Sequence, residues 1–397
     1  MFGRLRLDRR ALLAGGVCGA GGLSGYCVAS ASGSERRPSG RRVDLVRLAA
    51  GGWVWREGAI VVPMRQGVAY QPTEGERHIH HDYIAPRRLD QLVAQLCTEA
   101  ELVRLRANHP GLQGVGRGHG ETLKRLGFTV LRLYSPPVGD DGEAARFSAV
   151  LRRALELYGL RVYLSDDLGL YDPAHSLDRT WMEQRLAEIA SRYAAEPWLA
   201  ALSLGNENER FIRGGDGGDV KLNIEPDAYY RLMDALAGQF SQAAARAGAS
   251  IPVFLGHGHP RDPAYSAFEG LANLTGVGFN LYTSKAGLVE VGRRMEVVNS
   301  RRQARGLSAL AAYIAEFGQS ARQVRSMTPR QRADDFREQL TTLDAMPGVA
   351  GRCAFEFTSE LWKKREEGEG ADLFGILGQP DVERVFADAA RAASPGG

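Results

Sequence analysis

From Val43 to about residue 390, short apolar runs alternate with longer amphipathic ones. Eight short runs are rich in apolar, β-branched and aromatic residues: Gln66–Gln71, Thr129–Tyr134, Arg161–Asp166, Ala200–Gly205, Pro252–Gly256, Gly276–Leu281, Ala312–Phe317 and Gly351–Phe357. A strand without polar alternation is covered on both faces, as parallel strands are. Between these runs, Arg179–Tyr193, Asp227–Ala247 and Pro329–Met346 repeat their apolar positions at helical spacing. Eight strands alternating with helices over about 300 residues predict a single α/β domain of the (β/α)8 TIM-barrel class. The competing architecture, a doubly wound open sheet, would carry a Gly-rich phosphate turn after its first strand. Gly67-Val68-Ala69-Tyr70 is not such a turn.

Two segments interrupt the alternation. Thr73–Gly120, after the first strand, is a long insertion that holds His78, His80, His81 and a helix-like run over Leu89–Ala107. Ile212–Gly218, rich in glycine, follows the fourth strand. In a barrel both rise from the C-terminal rim of the strands, where ligands bind.

The first 42 residues follow other rules. Arg9-Arg10 precedes the apolar, Gly-rich run Ala11–Val17, and Ala29-Ser30-Ala31 supplies a small-x-small cleavage pattern. Residues 1–31 therefore read as a twin-arginine-like signal peptide, with a disordered basic tail as the alternative. The run is too short for a spanning helix, which needs about 20 apolar residues. A lipoprotein would use Cys27, but bulky Tyr26 stands where a small residue is required. Residues 32–42 are linker-like, and residues 43–390 form the predicted barrel. Export to the periplasm or the exterior is expected, without stable membrane insertion after cleavage.

Composition narrows the partners. With 44 % hydrophobic and 24 % charged residues, the chain has the balance of a globular protein with a substantial core. Its net charge of +3 owes much to arginines in the first 42 residues, so no clustered basic face argues for nucleic acid. Outside the presumed signal only Cys97 and Cys353 remain, too few for a disulfide framework or a zinc cluster, and their pairing is open.

The chemistry concentrates at two strand ends. Leu202-Ser203-Leu204-Gly205-Asn206-Glu207 closes an apolar strand with an amide beside a carboxyl. Tyr313-Ile314-Ala315-Glu316-Phe317-Gly318 embeds a carboxylate in an apolar strand end, where a lone charge is costly unless paired or functional. Glycosidases that retain anomeric configuration need two carboxyl groups about 5–5.5 Å apart in unlike protonation states. The plainer readings are a helix N-terminal acid for Glu207 and a buried ion pair for Glu316. Glu209 replaces Glu207 if the strand register shifts.

In this order the two motifs resemble the large clan of barrel-fold retaining glycoside hydrolases that includes the family 5 and family 2 catalytic domains. Three further segments share the likeness: Gly127–Tyr134 with Arg132, Gly278–Tyr282 with Tyr282, and Phe374–Leu377. The resemblance spans about residues 67–377. It implies Glu207 as acid/base, Glu316 as nucleophile, Arg132 and Tyr282 beside the nucleophile, and Asn206 on a sugar 2-hydroxyl. A carbohydrate substrate is implied, and no cofactor. Strand eight of this clan commonly ends in a sugar-stacking Trp, whereas this chain offers Phe357 or Glu356 there. Either Trp362 supplies the platform or that subsite differs.

The histidines permit another chemistry. His78, His80 and His81 on one loop, with His257 and His259 on another, could hold zinc, but the spacing matches no metal signature. His257 is expected to hydrogen-bond sugar hydroxyls instead. A transglycosylase on the same carboxylates and a non-catalytic sugar-binding barrel are the remaining alternatives.

Overall fold

A computed structural model describes residues 42–49, 52–62, 66–70, 119–169, 175, 177–215, 222–359 and 373–393. The chain divides into two units, residues 1–35 and 36–397, and every described residue lies in the second. The proposed signal, most of the linker, the Thr73–Gly120 insertion up to residue 118, Cys97 and Trp362 fall outside the described residues.

Eight parallel strands close into a barrel: β4 (Gln66–Ala69), β5 (Val130–Tyr134), β6 (Arg161–Asp166), β7 (Leu199–Leu204), β8 (Val253–His257), β9 (Gly276–Leu281), β10 (Ala311–Phe317) and β11 (Val349–Ala354). They pair in sequence order, and β11 pairs back onto β4. The helices between them include α2 (Asp141–Tyr158), α3 (Arg179–Tyr193), α4 (Pro226–Arg246), α6 (Lys285–Ala304) and α8 (Pro329–Asp344), with short α1 (Gly120–Arg125), α5 (Asp262–Phe268) and α7 (Ala321–Ser326); α9 (Pro380–Ala393) ends the described chain.

Local chemistry sets the helix ends. Asp140 accepts from the Glu143 amide at 2.9 Å to cap α2, and Ser320 and Thr328 form capping boxes with Gln323 and Gln331 on α7 and α8. Pro329 opens α8, where a missing N–H costs nothing.

Two apolar layers form, one between strands and helices and one inside the barrel. In the interior, Tyr163 stacks on Tyr313 at 4.3 Å between ring centres, with Phe254, Val130, Ala311, Ala315 and Cys353 in the same cluster. Gly278 makes room for this stack, since a Cβ there would lie 2.2 Å from the Tyr163 hydroxyl oxygen. Cys353 is a buried free thiol.

Sequence periodicity did not reveal the structure that precedes the barrel. β1 (Asp44–Arg47), β2 (Trp53–Glu57) and β3 (Ile60–Val62) form an antiparallel sheet. Trp53 and Trp55 join the interior cluster, and the Trp55 indole donates to the Ala350 carbonyl at 2.9 Å. Glu57 pairs with Arg161 at 2.9 Å. Ala350 and Arg161 lie at the starts of their strands, so the sheet caps the N-terminal end. The opposite end is left for ligands.

Candidate active site

Arg132 organises the C-terminal end of the barrel. Its side chain, on β5, is wholly buried and makes five contacts. Nε reaches Ser165 Oγ at 3.3 Å, and Nη2 reaches Asn206 Oδ1 at 2.8 Å. Nη1 donates to Asn280 Oδ1 at 3.0 Å, to the Ala315 carbonyl at 3.1 Å and to Glu316 Oε1. Burial opposes its charge, yet Tyr134 and Glu316 hold it above the usual guanidinium range.

Glu316, on β10, receives three donors. Arg132 and Tyr134 converge on Oε1, the Tyr134 hydroxyl at 2.7 Å, and the Tyr282 hydroxyl donates to Oε2. Three donors and no competing acceptor suit an acceptor-only group, an ionised carboxylate. Burial and then Glu316 push the Tyr282 phenol well above its ordinary value, so it remains a donor.

Glu207 lies three residues beyond β7 in the left-handed region, φ 59°. Oε1 accepts from Asn280 Nδ2 at 2.8 Å and Oε2 from Arg210 Nη1 at 2.8 Å. Burial first, then the charge of Glu316, raise its carboxyl above the ordinary range; Arg210 and Asn280 pull the other way. Asn280 joins the two acids, because its oxygen takes a hydrogen from Arg132 while its nitrogen serves Glu207 and Asn206 Oδ1. Two carboxyl groups with unlike surroundings thus face one mouth, as acid–base division requires.

The expected site residues divide into those at this centre and those elsewhere. Glu207, Glu316, Arg132, Asn206 and Tyr282 all meet there. His257 does not: its ring is 3 % exposed, Nε2 lies 2.9 Å from the Tyr230 hydroxyl, and Nδ1 lies 3.1 Å from the Gly258 carbonyl. Burial pushes its pKa down to about 4, and Nδ1 also lies 3.3 Å from Glu209 Oε1. Glu209 turns away as well, accepting from the Gly258 amide at 2.7 Å. Gly258 lies close against Glu209: a Cβ there would stand 2.8 Å from Glu209 Oε1, which would have to shift.

Phe357 and Glu356 are both fully buried, and Phe357 packs on Tyr70, His119 and Phe128. Phe355 is the partly exposed ring, edge-on to Tyr282 at 5.7 Å and to Phe374 at 5.4 Å. Trp362 lies outside the described residues.

Sequence reasoning passed over Tyr134, Asn280 and Arg210. Tyr134 and Asn280 sat inside the quoted motifs, each two residues from a chosen side chain. Strand residues two apart share a face, so Arg132 implied Tyr134 and Tyr282 implied Asn280. Among the described residues no group of three or more His, Cys, Asp or Glu could hold a metal ion, and no helix is long and apolar enough to cross a membrane.

No protein-family model matches the chain. A curated protein of Saccharopolyspora erythraea, named "Putative glutamate--cysteine ligase 2-1", is 30 % identical over 146 residues, and the match spans 36 % of each chain. Among solved structures, a GH5_18 protein of Streptomyces cattleya in complex with GlcNAc superposes with TM-score 0.58 at 16 % identity, over 83 % of this chain and 81 % of that one. A GH5_18 protein of Bifidobacterium longum subsp. infantis gives 0.58 at 13 %, over 84 % and 80 %. The endo-1,4-beta-mannanase of Rhizomucor miehei gives 0.53 at 12 %, over 88 % and 99 %. At these identities the likeness establishes a shared (β/α)8-barrel fold.

Proposed function

We propose that the protein is a retaining β-glycoside hydrolase that acts by double displacement on an extracytoplasmic oligo- or polysaccharide. The observation that carries this reading is the pair of linked but unlike carboxyl groups, Glu316 under three donors and Glu207 with its pKa raised. A Glu316 oxygen attacks the anomeric carbon while Glu207 passes its proton to the departing glycosidic oxygen, leaving a glycosyl ester on Glu316. Glu207, now ionised, takes a proton from water; the water oxygen displaces Glu316 and restores both groups. Asn206, with Oδ1 held by Arg132 and Asn280, presents its NH2 to the sugar 2-hydroxyl. Phe355 offers a ring face near Tyr282 for the sugar.

Action outside the cytoplasm rests on the Arg9-Arg10 signal pattern and the small-x-small sequence at Ala29–Ala31. The mannanase name of one fold neighbour and the GlcNAc complex of another choose the first substrates to test, 2,4-dinitrophenyl β-glycosides of mannose and N-acetylglucosamine, followed by glucose and galactose. Turnover is expected with at least one sugar, with the β-anomer released first by NMR. Glu316→Ala is expected to lose at least about 10⁴-fold in kcat while remaining folded. Undiminished turnover in that variant, or first release of the α-anomer, overturns the mechanism.

A further inference from the structure

Glu207 holds a donor on each oxygen, and the two donors differ in how firmly they are fixed. Asn280, on Oε1, is 4 % exposed and is tied to Asn206 and Arg132 as well. Arg210, on Oε2, extends from the 3-10 turn Asn208–Phe211 with its side chain 48 % exposed. Oε1 therefore faces the interior and Oε2 faces the open mouth. A departing glycosidic oxygen must approach the oxygen that can be reached, which is the one Arg210 occupies.

A guanidinium at 2.8 Å favours the ionised form, the wrong state for an acid about to give up a proton. The other charged or titratable groups facing Glu207 do not reverse this role. Glu316 on β10 and Glu209 on the same turn favour the protonated form, His257 at the end of β8 is neutral, and Tyr282 keeps its proton. Arg210 is a cation acting on Glu207, and its side chain is half exposed. A half-exposed i,i+3 pair is worth at most about 1 kcal/mol, so a better acceptor can take the arginine away. A carboxylate fits the guanidinium fork in two parallel hydrogen bonds.

We propose that Arg210 is a specificity-determining residue that leaves Glu207 for a carboxylate on the leaving-group side of the substrate, so that an acidic aglycone sugar frees the catalytic acid as it binds. The proposal rests on the glycosidase reading above and adds its preferred substrate class, a glycan with uronic acid next to the scissile bond. A neutral aglycone leaves Arg210 competing for Oε2.

The test uses paired aryl β-glycosides of whichever sugar the dinitrophenyl panel identifies. 4-Carboxyphenyl and 4-carbamoylphenyl leaving groups have nearly the same shape and differ in charge. Wild-type protein is expected to favour the carboxylate by about tenfold in kcat/KM, the worth of one charge-assisted contact. In Arg210→Gln the ratio is expected to fall to about one. The alkaline limb of kcat/KM for the carbamoyl substrate moves to higher pH in that variant, because losing the cation lets Glu207 keep its proton longer. A second variant, Arg210→Lys, restores part of the ratio if charge is what matters. A ratio near one in wild type, or a ratio and limb unmoved in Arg210→Gln, overturns the proposal while leaving the glycosidase intact. Failure of every dinitrophenyl sugar instead sinks the glycosidase reading itself.

Discussion

Arg132 meets Glu316 with both side chains sealed, 0 % and 6 % exposed, whereas Arg210 meets Glu207 with side chains 48 % and 18 % exposed. One mouth thus contains two arginine–carboxylate pairs built on opposite principles. The sealed pair is cross-braced by Asn280, Asn206, Ser165 and the Ala315 carbonyl, and cannot rearrange without leaving a charge buried alone. The open pair holds one outward oxygen through one contact. A nucleophile needs the first arrangement, since it must be ionised and held in place at each attack. An acid/base needs the second, because its protonation alternates twice per cycle.

The sharpest way to break that comparison is to remove the open pair's carboxyl. Glu207→Ala is expected to cost about 10²–10⁴-fold in kcat/KM for a leaving group that needs a proton. Glycosyl transfer from a 2,4-dinitrophenyl substrate should be far less affected, because dinitrophenolate departs unaided, and added azide should then accelerate release of a glycosyl azide. In the wild type the raised pKa of Glu207 has a defined consequence. The acid form is the active one, so kcat/KM is full below that pKa and falls as pH rises through it. This limb should lie above the ordinary carboxylate range and weaken for dinitrophenyl substrates. Equal losses on both substrate types would show that Glu207 is not the acid.

Removing the sealed pair's cation should act differently, on folding as well as on rate. Arg132→Met strands Glu316 in the interior, with an expected loss of about 3–5 kcal/mol in denaturant unfolding. The accompanying rate loss, about 10²–10³-fold, should be independent of leaving group. Arg132→Lys keeps a charge but not the five-way geometry, and should fall between. Wild-type stability in Arg132→Met would mean the pair is not sealed in solution.

These contrasts were only half legible in the sequence. Short runs rich in apolar residues marked all eight barrel strands, with β6 and β9 at their observed limits, because a parallel strand buried on both faces has no polar alternation. The β1–β3 sheet was not legible, since its short strands are partly exposed and its role depends on tryptophans reaching the barrel floor. Within the site, strand-end motifs marked Glu316 and Arg132 on their strands and Glu207 and Tyr282 in the residues just beyond theirs. A histidine at a strand end has the same sequence signature whether it faces a ligand or packs, as His257 does, against Tyr230 and Phe268. Phe355, partly exposed beyond β11, was not singled out because the chain there no longer alternates as a strand.

The smallest expected effect concerns what holds the open pair's backbone in place. Asn208 is 3 % exposed and bridges two loops: Oδ1 accepts from the Asn206 amide at 2.8 Å, and Nδ2 donates to the Asp167 carbonyl at 3.1 Å. The clamp straddles Glu207, whose left-handed backbone a glutamate adopts only when its surroundings enforce it. Asn208→Ala removes both hydrogen bonds and lets the turn relax, which displaces the acid but not Glu316. A loss of up to about tenfold in kcat is expected for proton-demanding leaving groups, from about 1 kcal/mol of lost positioning. KM should change little, and dinitrophenyl substrates should be nearly indifferent. Asn208→Asp keeps the acceptor for the Asn206 amide but faces a carboxylate toward the Asp167 carbonyl, so it should recover only part of the loss. If Asn208→Ala slows both substrate types alike, the clamp supports the whole mouth and the open pair has no separate mounting of its own.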